Sequence, residues 1–586
     1  MKKGLLLFVV LCFTLFSNVF ADGVMDYVLE ERGDTLVIKD YSDMGSVAGS
    51  LTEAVVADSV DVPAGRVYEL KANGYYPLST NLTTPADRAV VIVGADDRRL
   101  VTNDDEMSAP PVICGFGGNT GGISFQNDLT VKNASIIQAA DKANLGWAFF
   151  GAAAANKTLR VENCLFEHTR WVMIQSNDAP GTNVYINDCY FVNMSGQACR
   201  RNGGVYDNVN NNTATMWVEN STHVMAQGMI YKFRNYQVGE IVFNHNTFVN
   251  MSGNVFETLG YQSDMIVVNN IFVNSNLQPY MTGLDYGETD ADYLPMGIIN
   301  VDTLPSGYDV LPRKMMVDAN VVYWDPKFAD MVQICIDNQV NQSTDWHSQT
   351  ITMNSRTQAM FDDDTNYPYL VEGTWYEKCP NFTNPEDLLT DGVDSIRAFS
   401  IGTVDTLSGN VLMVWRKVLT DLDLYYVYSD WPIPIDLSYD DTDLLEGGIN
   451  GFPVGDLNWF PAEKAAWEAQ KSAEYAAIDA AIDAGHPVAI RETVYEPTDF
   501  RLSQNYPNPF NPTTTISYTL PKAGNVTLTV YNSLGQEVMT LVNNEFKASA
   551  GSYNVHFDGS GLSSGIYFYT LTFNNNTIAK KMVLMK

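Results

Sequence analysis

Histidine, cysteine and positive charge are all scarce in this sequence. Its 586 residues hold six His and seven Cys, and 35 Lys and Arg face 69 Asp and Glu, for a net charge of −34. A chain this acidic offers no broad basic surface for phosphate, which excludes nucleic acid as a partner. No two cysteines form a Cys-x-x-Cys pair, and a structural zinc site is excluded with it. After the first residues there is no run of about 18 apolar residues, so no transmembrane segment is expected in the mature chain.

The beginning of the chain is patterned. Lys2 and Lys3 precede an apolar run from Gly4 to Phe16, and Ser17-Asn18-Val19-Phe20-Ala21 follows. A positive segment, a short apolar core and a small residue at the cut describe a signal peptide over 1–21, leaving Asp22 as the new N-terminus. The six remaining cysteines then meet an oxidising compartment, which permits disulfides without requiring them.

A repeat dominates the first half. Leu129-Thr-Val-Lys-Asn133, Leu159-Arg-Val-Glu-Asn163, Val184-Tyr-Ile-Asn-Asp188, Met216-Trp-Val-Glu-Asn220, Ile241-Val-Phe-Asn-His245 and Met265-Ile-Val-Val-Asn269 share one pattern, their last residues 30, 25, 32, 25 and 24 apart. One place further on stand Ala134, Cys164, Cys189, Ser221, Asn246 and Asn270. Three places on stand Ile136, Phe166, Phe191, His223, Phe248 and Phe272. Unequal gaps with constant columns suit stacked coils of parallel strands with variable loops. Each coil sits about 4.8 Å above the last, so like residues stack on like. Cys164 and Cys189 share a column, and a disulfide or a stacked pair of thiols satisfies that placement equally.

The pattern resembles the right-handed parallel β-helix of the pectate-lyase-like superfamily, over roughly residues 50–290, with Val62 to Tyr76 similar to a first coil. The fold class expected is all-β. It comprises a parallel β-helix over 22–460 with irregular later coils or a cap from about 290, a helix and linker over 461–499, and an Ig-like β-sandwich over 500–586. Pro461 to Ala484 carries Trp467, Tyr475, Ile478 and Ile482 at helical spacing, and Gly485 is a natural stop. The last segment carries Asn505-Tyr-Pro-Asn-Pro-Phe-Asn-Pro512, Val530-Tyr-Asn-Ser-Leu-Gly-Gln536, Leu562-Ser-Ser-Gly-Ile-Tyr567 and Lys580-Lys-Met-Val-Leu-Met-Lys586. These closely resemble the type A C-terminal sorting domain of the type IX secretion system of Bacteroidetes and related phyla. That resemblance implies periplasmic transit, passage of the outer membrane with residues 500–586 engaging the secretion machinery, removal of this domain, and an extracellular or cell-surface destination.

The chemistry is less marked. The Arg-x-Pro-x-x-Arg pattern of pectate lyases and the Asn-Thr-Asp signature of polygalacturonases are absent. The best cationic cluster is Arg200 and Arg201 with Lys232 and Arg234, in successive coils, preceded one coil earlier by His168-Thr-Arg170. Arg200, Arg201, Lys232 and Arg234 are the candidate catalytic residues, able to hold a uronate or to take a proton beside its carboxylate. Arg170, Trp171, Tyr231 and Tyr236 are candidate substrate-binding residues. With Trp147 and Trp217, these aromatics form either a sugar-stacking platform or packing beneath loops. Solvated loop charge is the plainer reading of the cations. His223 is read as a core residue and His245 as a turn cap. No metal site is assigned. Calcium is the cation that Asp362-Asp-Asp364, Asp440-Asp-Thr-Asp443, or Asp285 with Glu288, Asp290 and Asp292 would suit, solvated acidic loops being the alternative. The expected function is binding of extracellular polysaccharide. The alternatives are a lyase or hydrolase of acidic polysaccharide, and a structural surface protein or adhesin.

Overall fold

A computed structural model describes residues 23–95, 109–115, 121–138, 147–169, 171–194, 203–234, 236–257, 262–281, 294–304, 313–338, 343–405, 415, 433–485, 500–502, 504–505, 508–520, 522, 524–547, 551–574 and 576–586. The expected signal peptide 1–21, residues 486–499, Arg170, Arg200, Arg201 and Asp285 to Asp292 lie outside the described residues. The chain divides into two units, Met1–Val488 and Ala489–Lys586.

The first unit is a parallel β-helix with three walls. Among the described residues, the first wall has twelve strands from Val28–Arg32 to Leu370–Glu372, the second ten from Tyr75–Leu78 to Trp375–Glu377, and the third seven from Leu82–Thr83 to Phe256–Glu257. Only the opening pair, Val28–Arg32 with Thr35–Ile38, is antiparallel in these walls. Coils therefore continue to Glu377, well past the recognisable repeat.

The registers explain the columns of the sequence. Inside the second wall, Tyr76, Ile113, Ile136, Phe166, Phe191, His223, Phe248, Phe272 and Val322 stand in one file. The ring centroids of Phe166, Phe191, His223, Phe248 and Phe272 follow one another at 4.5, 4.7, 4.4 and 5.2 Å, with their planes nearly parallel. A coil cannot bury its apolar face alone, and the next coil supplies the missing contact at a spacing set by the backbone ladder. Inside the third wall the file is Leu82, Ile123, Phe150, Ile174, Tyr206, Tyr231 and Phe256. Tyr231 Oη lies 2.8 Å from His223 Nε2, and its ring meets Phe243 of the first wall edge-on at 4.7 Å. All three walls thus touch at one tyrosine.

The turn from first to second wall is equally ordered. Asn133, Asn163, Asp188, Asn220, His245, Asn269 and Ala319 all have φ between +44° and +58°, a left-handed conformation that Asn and Asp tolerate best. The next residue points inward. Asn246 Nδ2 donates to the carbonyls of Val218 and Asn244, and Asn270 Nδ2 to those of Phe243 and Val268. The backbone N–H groups of Ser221, Asn246 and Asn270 donate to the side chains of Asn246, Asn270 and Asn320 one coil on. Every buried turn carbonyl needs a donor, and this ladder supplies it. Cys164 and Cys189 occupy the same column as free thiols. Their Sγ atoms face the carbonyls of Glu162 and Asn187 at 3.3 and 3.2 Å, in the place of the asparagine amides.

Residues 382–405 and 433–460 cover the outer face of the second wall from Tyr190 to Val321. Val192, Val224, Val249, Ile271 and Val321 point outward there and are buried by Phe382, Leu388, Ile396, Ile435, Leu444 and Trp459. Helical and irregular segments, including Asp391–Asp405 and Thr442–Leu445, make up this cover. Its closing stretch locks onto the turn column. Gly455 donates to Asn269 O at 2.7 Å at φ +92°, where a Cβ would lie 2.6 Å from Ile271 Cδ1. His245 Nδ1 bonds Gly455 O at 3.2 Å, which fixes that nitrogen as the donor.

The helix Pro461–Ala484 ends at Gly485 in the left-handed conformation. It straps the first wall through buried polar contacts. Lys464 pairs with Asp188, Lys471 with Glu219, Tyr475 with Glu219 at 2.5 Å, and Glu474 with Asn244 at 3.1 Å. Trp467 meets His245 edge-on.

The second unit is a β-sandwich of a three-stranded sheet (Arg501–Leu502, Thr513–Leu520, Gly551–Asp558) and a four-stranded antiparallel sheet (Gly524–Asn532, Glu537–Lys547, Gly565–Phe573, Asn576–Leu584). Ile516, Leu528, Val530, Phe557, Tyr569 and Met582 fill its core.

Two outcomes follow. Phe191→Ala removes one ring from a continuous file and should lower unfolding stability by about 3–5 kcal/mol in urea titration; a loss below about 1 kcal/mol would mean the file is not the core. Burial pushes His223 and His245 down to about 3. The unfolded chain takes up protons below pH 6.5 that the folded one refuses, so their contribution is present above pH 6.5 and lost as pH falls towards 3. Asp318 and Asp456, raised by burial to about 6, act oppositely, losing their contribution as pH rises through 6. The histidine effect is isolated by comparison with His223→Phe. The stability of the parent relative to that variant should shrink between pH 6.5 and 3, and a constant gap would contradict the burial argument.

Candidate functional site

The described part of the cationic cluster assembles at the end of the third wall. Gln175, Asp207, Lys232 and Glu257 occupy successive register positions there. The neighbouring positions Tyr206, Tyr231 and Phe256 point inward, so by the alternation of a strand this column faces outward. Arg234 lies two residues past Lys232, in the turn towards the first wall. Trp171 stands just before the strand Val172–Ser176.

Asp207 is the centre of the group. It is fully buried, and Arg234 grips it with two parallel hydrogen bonds, Nε to Oδ1 at 2.6 Å and Nη2 to Oδ2 at 2.8 Å. That fork geometry is the strongest charge pairing a side chain makes. Lys232, only 1% exposed, brings Nζ to 3.8 Å from Asp207 Oδ2. Both cations also face Trp171, Lys232 Nζ at 5.3 Å and Arg234 Cζ at 5.5 Å from a ring centroid, within cation–π range. Trp171 in turn meets Trp147 edge-on at 5.6 Å, and Trp147 is 57% exposed. The result is a surface indole on a second indole, whose orientation is held by two cations anchored to one carboxylate.

Lys232, Arg234 and Trp171 thus come together, although Trp171 stands two coils before the two cations. Tyr231, expected among the substrate-binding groups, is a core residue. It has no exposed surface and its hydroxyl is taken up with His223. Tyr236 is half-buried in the turn leading to the strand Val238–Asn244. His168 is buried with φ +54° beside Glu167. Asp207 and Glu257 were not singled out from the sequence. Their signal was available, since Asp207, Lys232 and Glu257 are 25 residues apart, one coil each.

The acidic loops are engaged locally. Asp441 and Asp443 pair with Lys378, and Asp363 accepts from Asn366. Among the described residues, no group of three or more His, Cys, Asp or Glu side chains is arranged to hold a metal ion.

Comparison with known proteins bears on the second unit. Residues 504–585 match the family model described as the secretion system C-terminal sorting domain. No curated protein matches the chain. The sorting domain makes this an exported protein with an extracellular or cell-surface location, whose C-terminal unit engages the type IX secretion machinery. Among the described residues, no helix is long and apolar enough to cross a membrane.

Asp207→Ala would leave Lys232 and Arg234 without their shared carboxylate. It should lower stability by about 3–5 kcal/mol in chemical denaturation, and Asp207→Ala with Arg234→Met should recover part of the loss. A single variant within about 0.5 kcal/mol of the parent would show that the pairing does not hold the cluster.

Proposed function

We propose that this exported β-helix protein binds extracellular polysaccharide, with the pair Trp147 and Trp171 as its contact surface. One observation carries the reading: an exposed indole lies edge-on to a second indole that two cations, Lys232 and Arg234, face at cation–π distance. A flat indole offers apolar area to the C–H face of a pyranose, and a ring already fixed in place loses little entropy on binding. The solenoid supplies rigidity, since the rings stand on stacked coils.

Binding is preferred to lyase chemistry for a geometric reason. A proton-abstracting Lys232 must reach a sugar carbon, yet its ammonium is buried against Asp207. Arg234 is likewise occupied by that carboxylate. Neither stands ready for a substrate proton.

Trp147→Ala and Trp171→Ala should each weaken polysaccharide binding about tenfold, the loss of a stacking contact of ~1.4 kcal/mol, in affinity electrophoresis across a panel of plant and bacterial polymers. Release of unsaturated uronides absorbing in the ultraviolet, abolished by Lys232→Ala, would replace this reading with the lyase. Variants binding as the parent does would remove the indole pair from the site.

A further inference from the structure

We infer that the ligand of the indole site is an uncharged polysaccharide, and that Lys232 and Arg234 are positioning residues for Trp171 rather than anchors for a uronate or a sulfate. The inference rests on the polysaccharide reading above and narrows it to a chemical class.

The first ground is the local charge balance. A site that recognises an anionic sugar needs a cation whose hydrogen-bonding edge is open to the ligand, as in bidentate arginine–carboxylate recognition. Here that edge of Arg234 is already closed on Asp207, through Nε and Nη2. Lys232 lies between two carboxylates along its column, with Asp207 on the preceding coil and Glu257 in register on the next. Among the described residues, these four side chains sum to zero charge: two cations and two anions. An incoming uronate would have to displace a carboxylate that is fully buried and cannot move into water, which costs more than the exchange returns.

The second ground is the direction of the cations. Both are within cation–π distance of Trp171, so their effect is spent on fixing an indole plane. Arg234 ties Trp171 to the third wall two coils further along, through Asp207. A stacking surface set in this way selects for the apolar face of a ring, which neutral pyranoses present without bringing in charge. The third ground is global. A net charge of −34 repels a polyanion before contact and slows its approach.

The test uses the full secreted chain in affinity electrophoresis and calorimetry. The probes are neutral polymers (a β-glucan, a mannan, a xylan) and uronate polymers (polygalacturonate, alginate), each at low and high salt. At least one neutral polymer should bind, with affinity unchanged within about twofold on raising salt, because no ion pair forms. Uronate polymers should bind about tenfold more weakly or not at all. Tighter uronate binding that weakens with salt would overturn this inference and leave the polysaccharide reading standing. Silence with every polymer would overturn that reading, and this one with it. Asp207→Asn frees the arginine edge and should create salt-sensitive uronate binding. A folded Asp207→Asn chain that still ignores uronate would show that the pairing is not what excludes acids; if that variant does not fold, the comparison of polymers on the parent chain decides alone.

Discussion

The spacing of the backbone ladder governs this molecule. Parallel strands in successive coils can only lie about 4.8 Å apart, and an aromatic ring stacked on its neighbour needs nearly the same distance. The file from Phe166 to Phe272 therefore meets both demands at once, with no tilt forced on rings or strands. His223 keeps the file intact as a flat ring of similar size, and its nitrogen gives the hydroxyl of Tyr231 a partner inside the cylinder. The same spacing lets Asn246, Asn270 and Asn320 pass hydrogen bonds from coil to coil. Where the column changes to Cys164, Cys189 and Ser221, the thiols and hydroxyl still face the carbonyl two residues back.

Function, on this reading, lives beside the third wall, where Trp147 is exposed while Asp207 and Lys232 are buried. Much of the second wall is hidden beneath residues 382–405 and 433–460, and part of the first beneath the helix Pro461–Ala484. The strap depends on charged groups that the coils alone would leave exposed. Asp188 and Glu219 gain Lys464 and Lys471, and Glu474, raised by burial, shares its carboxylate with Asn244 and Trp467. The third wall carries the indole pair and its ionic support. Within one chain, equivalent outward positions thus become core, interface or ligand surface according to what packs on them.

The interior files could be read directly from the sequence, because Phe166, Phe191, Phe248 and Phe272 recur at a fixed offset from a turn residue. The helix Pro461–Ala484 was legible from its period and its terminal glycine. Tyr231 was misplaced because its strand is only two residues long, too short for alternation to tell inside from outside. Lys232, its neighbour, is the outward one. In the sorting unit the last motif, Lys580 to Lys586, falls largely in the strand Asn576–Leu584. Lys580 and Lys581 make it read as a tail, although Met582 and Leu584 sit in the core.

The sequence by itself determined the solenoid, the order of its columns and the export tail, because each is written in residues close together or repeated at a regular interval. What covers each wall, and which cations remain available, were decided only by tertiary structure. Trp459 reaches Thr222 across 237 residues and Lys464 reaches Asp188 across 276, distances no local pattern encodes. The pairing of Arg234 with Asp207 is of the same kind on a smaller scale. A repeat specifies what stacks, since every coil imposes the same geometry on the next; it carries no record of which side chain folds back to neutralise another.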